Sequence, residues 1–198
     1  MKKLTALLLA LTLALGMTAC GGAKSEDSSS VSDAEATDDT AGKEAVDILN
    51  DVWAKFGEEE AFAVVGGYYD HMVENEAGTA KDAEGDTLDQ MFGFPSDSAD
   101  LIDDAASLIH MMNANNFTAA AYHVTDAAEM ESLAEAMKDN ILNRQWMCGF
   151  PDGMVIYSVG SNYLVAAFGS QMNIDNFGAH LTETFGSAVL LYNENLNF

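Results

Sequence analysis

Residues able to do chemistry are few in this chain and far apart. It holds four histidines, His71, His110, His123 and His180, and two cysteines, Cys20 and Cys148. A thiol nucleophile needs an imidazole base within hydrogen-bond reach and a third group to orient that base. The only set that could supply those parts is Cys148, His123, His180 and Asp152, and it matches no recognisable nucleophile or metal motif. An extracytoplasmic enzyme using Cys148 and His123 is therefore the alternative, and a non-catalytic binding or accessory module the first expectation. Lone thiols such as Cys148, between Met147 and Gly149, are usually small buried apolar groups.

Two cation chemistries also suggest themselves. His71-Met72 and His110-Met111-Met112 combine imidazole and thioether, the ligand types that suit Cu(I). Methionines are scattered through the whole chain beyond Cys20, however, most at helical core spacing, and so read as core filler. Asp82, Glu84, Asp86 and Asp89 supply the oxygens that calcium prefers. A calcium loop of the EF-hand type needs Gly sixth and Glu twelfth, whereas here Gly85 stands fourth and Gly93 twelfth. The stretch reads as a solvated acidic loop, and no metal or cofactor is expected.

Cys20 has a different chemistry. Lys2 and Lys3 precede the apolar run LTALLLALTLALGM, which has the length and flanks of a secretory signal and is too short to span a bilayer. The run closes on Met17-Thr18-Ala19-Cys20-Gly21-Gly22, which resembles the lipobox of bacterial lipoproteins with Met17 where Leu is usual. The resemblance implies removal of residues 1–19, acylation of Cys20, palmitate among the acyl chains, and attachment to the outer face of the cell membrane after general export. Two or more acyl chains would hold the chain stably on the bilayer.

Residues 20–42 are rich in Ser, Asp, Glu, Ala, Thr and Gly and cannot repay the entropy of ordering. They read as an acidic tether with a root-mean-square reach of roughly 25 Å. Residues 43–198 then make one domain by size. That domain carries five basic residues, Lys43, Lys55, Lys81, Lys138 and Arg144, in a chain whose formal charge is −24. Such a surface repels phosphate, which excludes nucleic acid as a partner. With Cys20 lipidated, Cys148 has no partner thiol, so no internal disulfide can form.

The elements that must position these residues follow from periodicity. Ala45, Ile48, Leu49, Val52, Trp53 and Phe56 predict an amphipathic helix stopped at Gly57, and AFAVV before Gly66-Gly67 predicts a short strand. Residues 68–90 read as a long loop that either carries function or is a mobile insertion. Leu101, Ala105, Leu108, Ile109 and Met112 lie at helical spacing after a Ser96 or Asp97 cap and predict a second helix. FTAAAYHV is a strand. The next helix is capped at Thr125 or Asp126, buries Met130, Leu133, Ala134, Met137 and Ile141, and shows Glu131, Glu135 and Asp139 outward. Pro151-Asp152-Gly153 turns the chain into a hairpin, MVIYSV and YLVAAF, that is apolar on both faces. Either both faces are covered or one meets a partner. Ile174, Phe177, Leu181 and Phe185 mark a last helix, and AVLLY a last strand.

This order predicts an α+β fold: a mainly antiparallel sheet of about five strands with about four helices packed on it. Over roughly residues 101–185, the run FTAAAYHVTD, NILNRQ, GFPDG and IYSVGSNYLVAAFG resembles a domain-of-unknown-function family of uncharacterised lipoproteins from Gram-positive gut Firmicutes. The resemblance implies surface location and fold, and brings no activity with it. Binding of a protein, peptide or small ligand is the expected role, with Tyr157, Tyr163, Trp146 and Arg144 as the candidate contacts.

Overall fold

The structure, a computed structural model, describes residues 38–147 and 149–196; the expected signal segment, Cys20, most of the expected tether and Cys148 lie outside the described residues. In chain order the elements are α1 (Ala45–Trp53), β1 (Val64–Gly66), β2 (Val73–Glu74), β3 (Gly78–Thr79), α2 (Gly85–Phe92), β4 (Ile102–His110), β5 (Phe117–Val124), α3 (Met130–Leu142), β6 (Gly153–Val159), β7 (Tyr163–Gly169), α4 (Gln171–Thr184) and β8 (Val189–Asn195), with short 3-10 turns between some of them. The strands form one antiparallel sheet in the order β2-β1-β4-β5-β7-β6-β8, with β3 also on β4. The class is α+β as expected, with eight strands in place of about five.

Period-two alternation along the central strands builds two cores, one on each face. Phe117, Ala119 and Ala121 of β5 and Val165 and Ala167 of β7 face α1 and α4, which contribute Ile48, Leu49, Ile174, Phe177 and Leu181. Ala120, Tyr122 and Val124 of β5 and Leu164, Ala166 and Phe168 of β7 face α2 and α3, with Leu88, Phe92, Leu133, Met137 and Ile141. Alanines at the sheet centre let the helices approach closely. The hairpin of β6 and β7 is apolar on both faces because both are covered: Val155 and Tyr157 belong to the first core, Met154 and Ile156 to the second. It lies inside the sheet, between β5 and β8, so neither face is left for a partner.

The helix expected over Ser96 to Met112 is absent. Its start is a 3-10 turn, Ser96–Leu101, and its apolar half is strand β4. Ala105, Ala106, Ser107, Leu108 and Ile109 are buried without a break, because β4 has a core on each side. A continuous apolar run contains every helical spacing within it, and so imitates a helix. The expected loop from Tyr68 to Gln90 holds β2, β3 and most of α2. β1 and β3 share one edge of β4, β1 pairing at Ile109 and His110 and β3 at Ala106 and Ser107. Gly66 and Gly78 meet where they abut, and a Cβ on either would overlap the other's backbone. Part of the expected tether is also folded. Asp39 accepts the Ser187 N–H at 3.2 Å and its hydroxyl, Asp38 accepts the Ser161 hydroxyl at 3.3 Å, and Thr40 is buried.

Candidate functional site

α2 ends at Gly93, whose left-handed backbone (φ 73°) closes the helix and whose missing Cβ leaves room for Ile141. The last carbonyls of α2 are taken up from α3 and the residues after it. Arg144 donates from Nη1 to the Asp89 carbonyl at 3.0 Å and from Nη2 to the Gln90 carbonyl; Asn140 donates to the Asp89 carboxylate at 2.8 Å and the Gly93 carbonyl at 3.0 Å. This lock fixes the chain beyond α3 against the end of α2. Burial draws the Arg144 guanidinium down from its ordinary value, opposed by the nearby Asp89 carboxylate and Tyr122.

Between that lock and the end of β4 lies an open cleft of about 480 Å³. Its floor holds Val65, Ile109 and Phe168, and Arg144 and Trp146 form one wall. The Trp146 ring packs edge-on against Phe168 at 5.0 Å, and the guanidinium stacks over Trp146 at 5.1 Å. The opposite wall is the turn after β4, tied to the segment after α3 by Asn115, whose Nδ2 donates to the carbonyls of Met147 (2.9 Å) and Gly149 (3.1 Å). Met72, Met91, Met111, Met112 and Met147 also line the cleft, together with the polar Gln90, His110, Asn113 and Gln145. Among the described residues no Asp or Glu lines the cleft, in a chain with 32 of them. Two polar atoms of the adjoining core, the Trp146 Nε1 and the Tyr122 hydroxyl, are buried without a hydrogen-bond partner among the described residues.

Of the copper candidates, His110 has its Nδ1 engaged in the turn after β4, where it accepts the N–H groups of Met112 (3.2 Å) and Asn113 (3.3 Å). The ring also stacks on Phe62 at 5.0 Å. In the acidic loop, Glu84 stands at the N-cap position of α2 without a side-chain cap bond, Asp86 lies in the first turn, and the Asp89 carboxylate accepts from Asn140. Among the described residues no group of three or more His, Cys, Asp or Glu is placed to hold a metal ion.

The four candidate contacts divide between the two faces of the sheet. Arg144 and Trp146 line the cleft. Tyr157 and Tyr163 lie in the opposite core, Tyr157 against Gly178 and Tyr163 donating its hydroxyl to the Lys43 carbonyl at 2.6 Å. The reactive set does not assemble among the described residues. His123 pairs with Asp103 at 2.6 Å beside Tyr163, and His180 with Glu60 at 2.9 Å. Asp152 accepts the Gln171 N–H at 3.1 Å at the start of α4. His123 sits opposite Tyr163, while Asp152 bonds to Gly169 at the other end of β7. Six residues of strand separate those ends, roughly 20 Å. Met91, Met147 and Phe168 escaped the sequence reading; the gathering of methionines distant in sequence was their one signal.

Among known proteins, no family model, no curated protein and no solved structure matches the chain.

Proposed function

We propose that the chain is a membrane-anchored extracytoplasmic lipoprotein whose folded domain is a non-catalytic binding module, and that the cleft beside Trp146 takes an uncharged apolar ligand or the apolar part of a peptide. The anchor rests on the lipobox-like run ending at Cys20 and on the apolar segment before it. Among the described residues no helix is long and apolar enough to cross a membrane. The observation that carries the binding reading is the cleft's lining: five thioethers, Trp146 and Phe168, with no carboxylate among the described residues, on an otherwise strongly acidic chain. Flexible thioethers adapt to irregular apolar shapes, and an aromatic wall gives large contact area at small entropic cost. The scattered histidines favour binding over catalysis.

N-phenyl-1-naphthylamine, an uncharged apolar fluorophore, tests this reading. Saturable binding with quenching of Trp146 emission is expected, Trp146→Phe identifying that emission against Trp53. Met111 and Met147 are 41% and 79% exposed, so Met111→Asp with Met147→Asp leaves the core intact. It should weaken binding on the order of tenfold, the equivalent of about 1.4 kcal/mol. Equal binding by that variant, or unchanged Trp146 emission, would refute the cleft as the site.

A further inference from the structure

The two edges of the sheet are unlike. At one end β2 offers two residues; at the other, β8 runs for seven and is paired only with β6 among the described residues. A long edge strand presents a row of free N–H and C=O groups that pairs readily with another strand. Its first residues are apolar and exposed: Val189 at 56%, Leu190 at 46% and Leu191 at 38%. A bulge sets Leu191 outside the register with β6, between the pairs Ile156 with Tyr192 and Tyr157 with Leu190. Leu191 thereby joins Tyr192 in a second, shallower cleft of about 330 Å³ against α3, with Met130, Glu131, Ala134 and Ser158.

That cleft has an acidic rim. Glu131 lines it, and Lys138, stacked 4.8 Å over Tyr192, is already held by Asp139 at 3.2 Å and Glu135 at 3.7 Å. On the other face of the sheet, Asp175 of α4 lies close enough to act on the Tyr157 phenol, whose strand partner is Leu190. β8 itself adds Glu194. A second copy of this chain would bring its own formal charge of −24 to this edge, and residues 20–37 carry Glu26, Asp27, Asp33 and Glu35 against Lys24. Both are like-charged occupants and are repelled.

We infer that the β8 edge is a docking site for an extended basic segment of another protein, which adds as a ninth strand and sets alternate Lys or Arg side chains along α3. Strand addition supplies the main-chain hydrogen bonds, and the side-chain period of two sends every second residue to the α3 face. There a lysine stem covers Leu191 and Met130 while its ammonium reaches Glu131. Both requirements, an extended backbone and alternating positive charge, follow from this edge and do not depend on the Trp146 cleft.

Hydrogen exchange of the full chain with acetyl-Lys-Val-Lys-Val-Lys-Val-Lys-amide tests the inference. Outward amides of Val189–Asn195 should slow by about tenfold or more at saturation, while a peptide of the same charge with alternate amides N-methylated should leave them unchanged, since it lacks the donors that pairing needs. Glu131→Lys, an exposed substitution, should weaken binding on the order of tenfold, an effect lost at high salt. Unchanged exchange in β8, equal protection by the methylated peptide, or undiminished affinity of Glu131→Lys would each overturn it.

Discussion

The hydroxyl of Ser107 serves both main-chain groups of Gly67: it accepts the Gly67 N–H at 2.9 Å and donates to the Gly67 carbonyl at 2.8 Å. It stands in for a strand at the junction where β1 leaves the edge of β4 and β3 takes over. Ser107 is fully buried, so water cannot replace it. Ser107→Ala should leave a buried donor and acceptor unpaired and cost about 1–3 kcal/mol. A urea midpoint that falls at unchanged slope would show it, and an unmoved midpoint would mean the junction relaxes.

Gly178 lies inside α4 against Tyr157, and a Cβ there would overlap the Tyr157 hydroxyl. In an open helix Gly→Ala gains roughly 0.5–1 kcal/mol. Here Gly178→Ala should instead destabilise by about 1–3 kcal/mol, because a buried ring cannot move aside. Tyr157→Phe removes the offending oxygen, so in that background Gly178→Ala should become neutral or stabilising. A double-mutant cycle by thermal melts measures the coupling, and additivity of the two changes would contradict the clash.

Burial pushes the Tyr163 phenol up to about 12, with the carboxylates of Asp104 and Asp103 adding to the effect. The folded state thus favours the neutral phenol more than the unfolded chain does. Its contribution to stability is complete below the ordinary tyrosine value of 10.0 and is lost as pH rises from there to about 12. Burial raises Tyr122 and Tyr157 as well, so the assignment needs Tyr163→Phe as its comparison. That variant should lose the part of the tyrosinate absorbance that titrates near 12, ahead of the more deeply buried Tyr122, and flatten the alkaline fall in melting temperature. It should also lose about 1 kcal/mol at neutral pH with the bond to Lys43.

For the proposed anchor, the decisive residue is Cys20. Cys20→Ala should move the protein from the membrane fraction to the medium, and metabolic labelling with a palmitate analogue should vanish with it. Continued membrane association of the variant would remove the anchor from the functional reading.

Legibility varied along the chain for physical reasons. α1, α3 and α4 each bury one stripe and expose the rest, so their apolar period was plain, and the hairpin of β6 and β7 was marked by turn residues at both ends. β4 hid, because a strand buried on two faces loses alternation. β2, β3 and α2 hid in a polar stretch because each is short and held mainly by partners distant in sequence: Thr79 at Ala106, Asp89 at Asn140 and Arg144. Of the four candidate contacts, Arg144 and Trp146 line the cleft, while Tyr157 and Tyr163 fill the opposite core.

What the sequence by itself determined were the properties that depend on local order and composition: the strong negative charge, the amphipathic helices and the central hairpin. The tertiary structure alone decided which strand lies at the edge and which residues share a cleft. Met72, Met91, Met111 and Met147 come together, and β8 rather than the hairpin forms an edge of the sheet among the described residues, because long-range strand pairing sets both. No local period along the chain records that pairing.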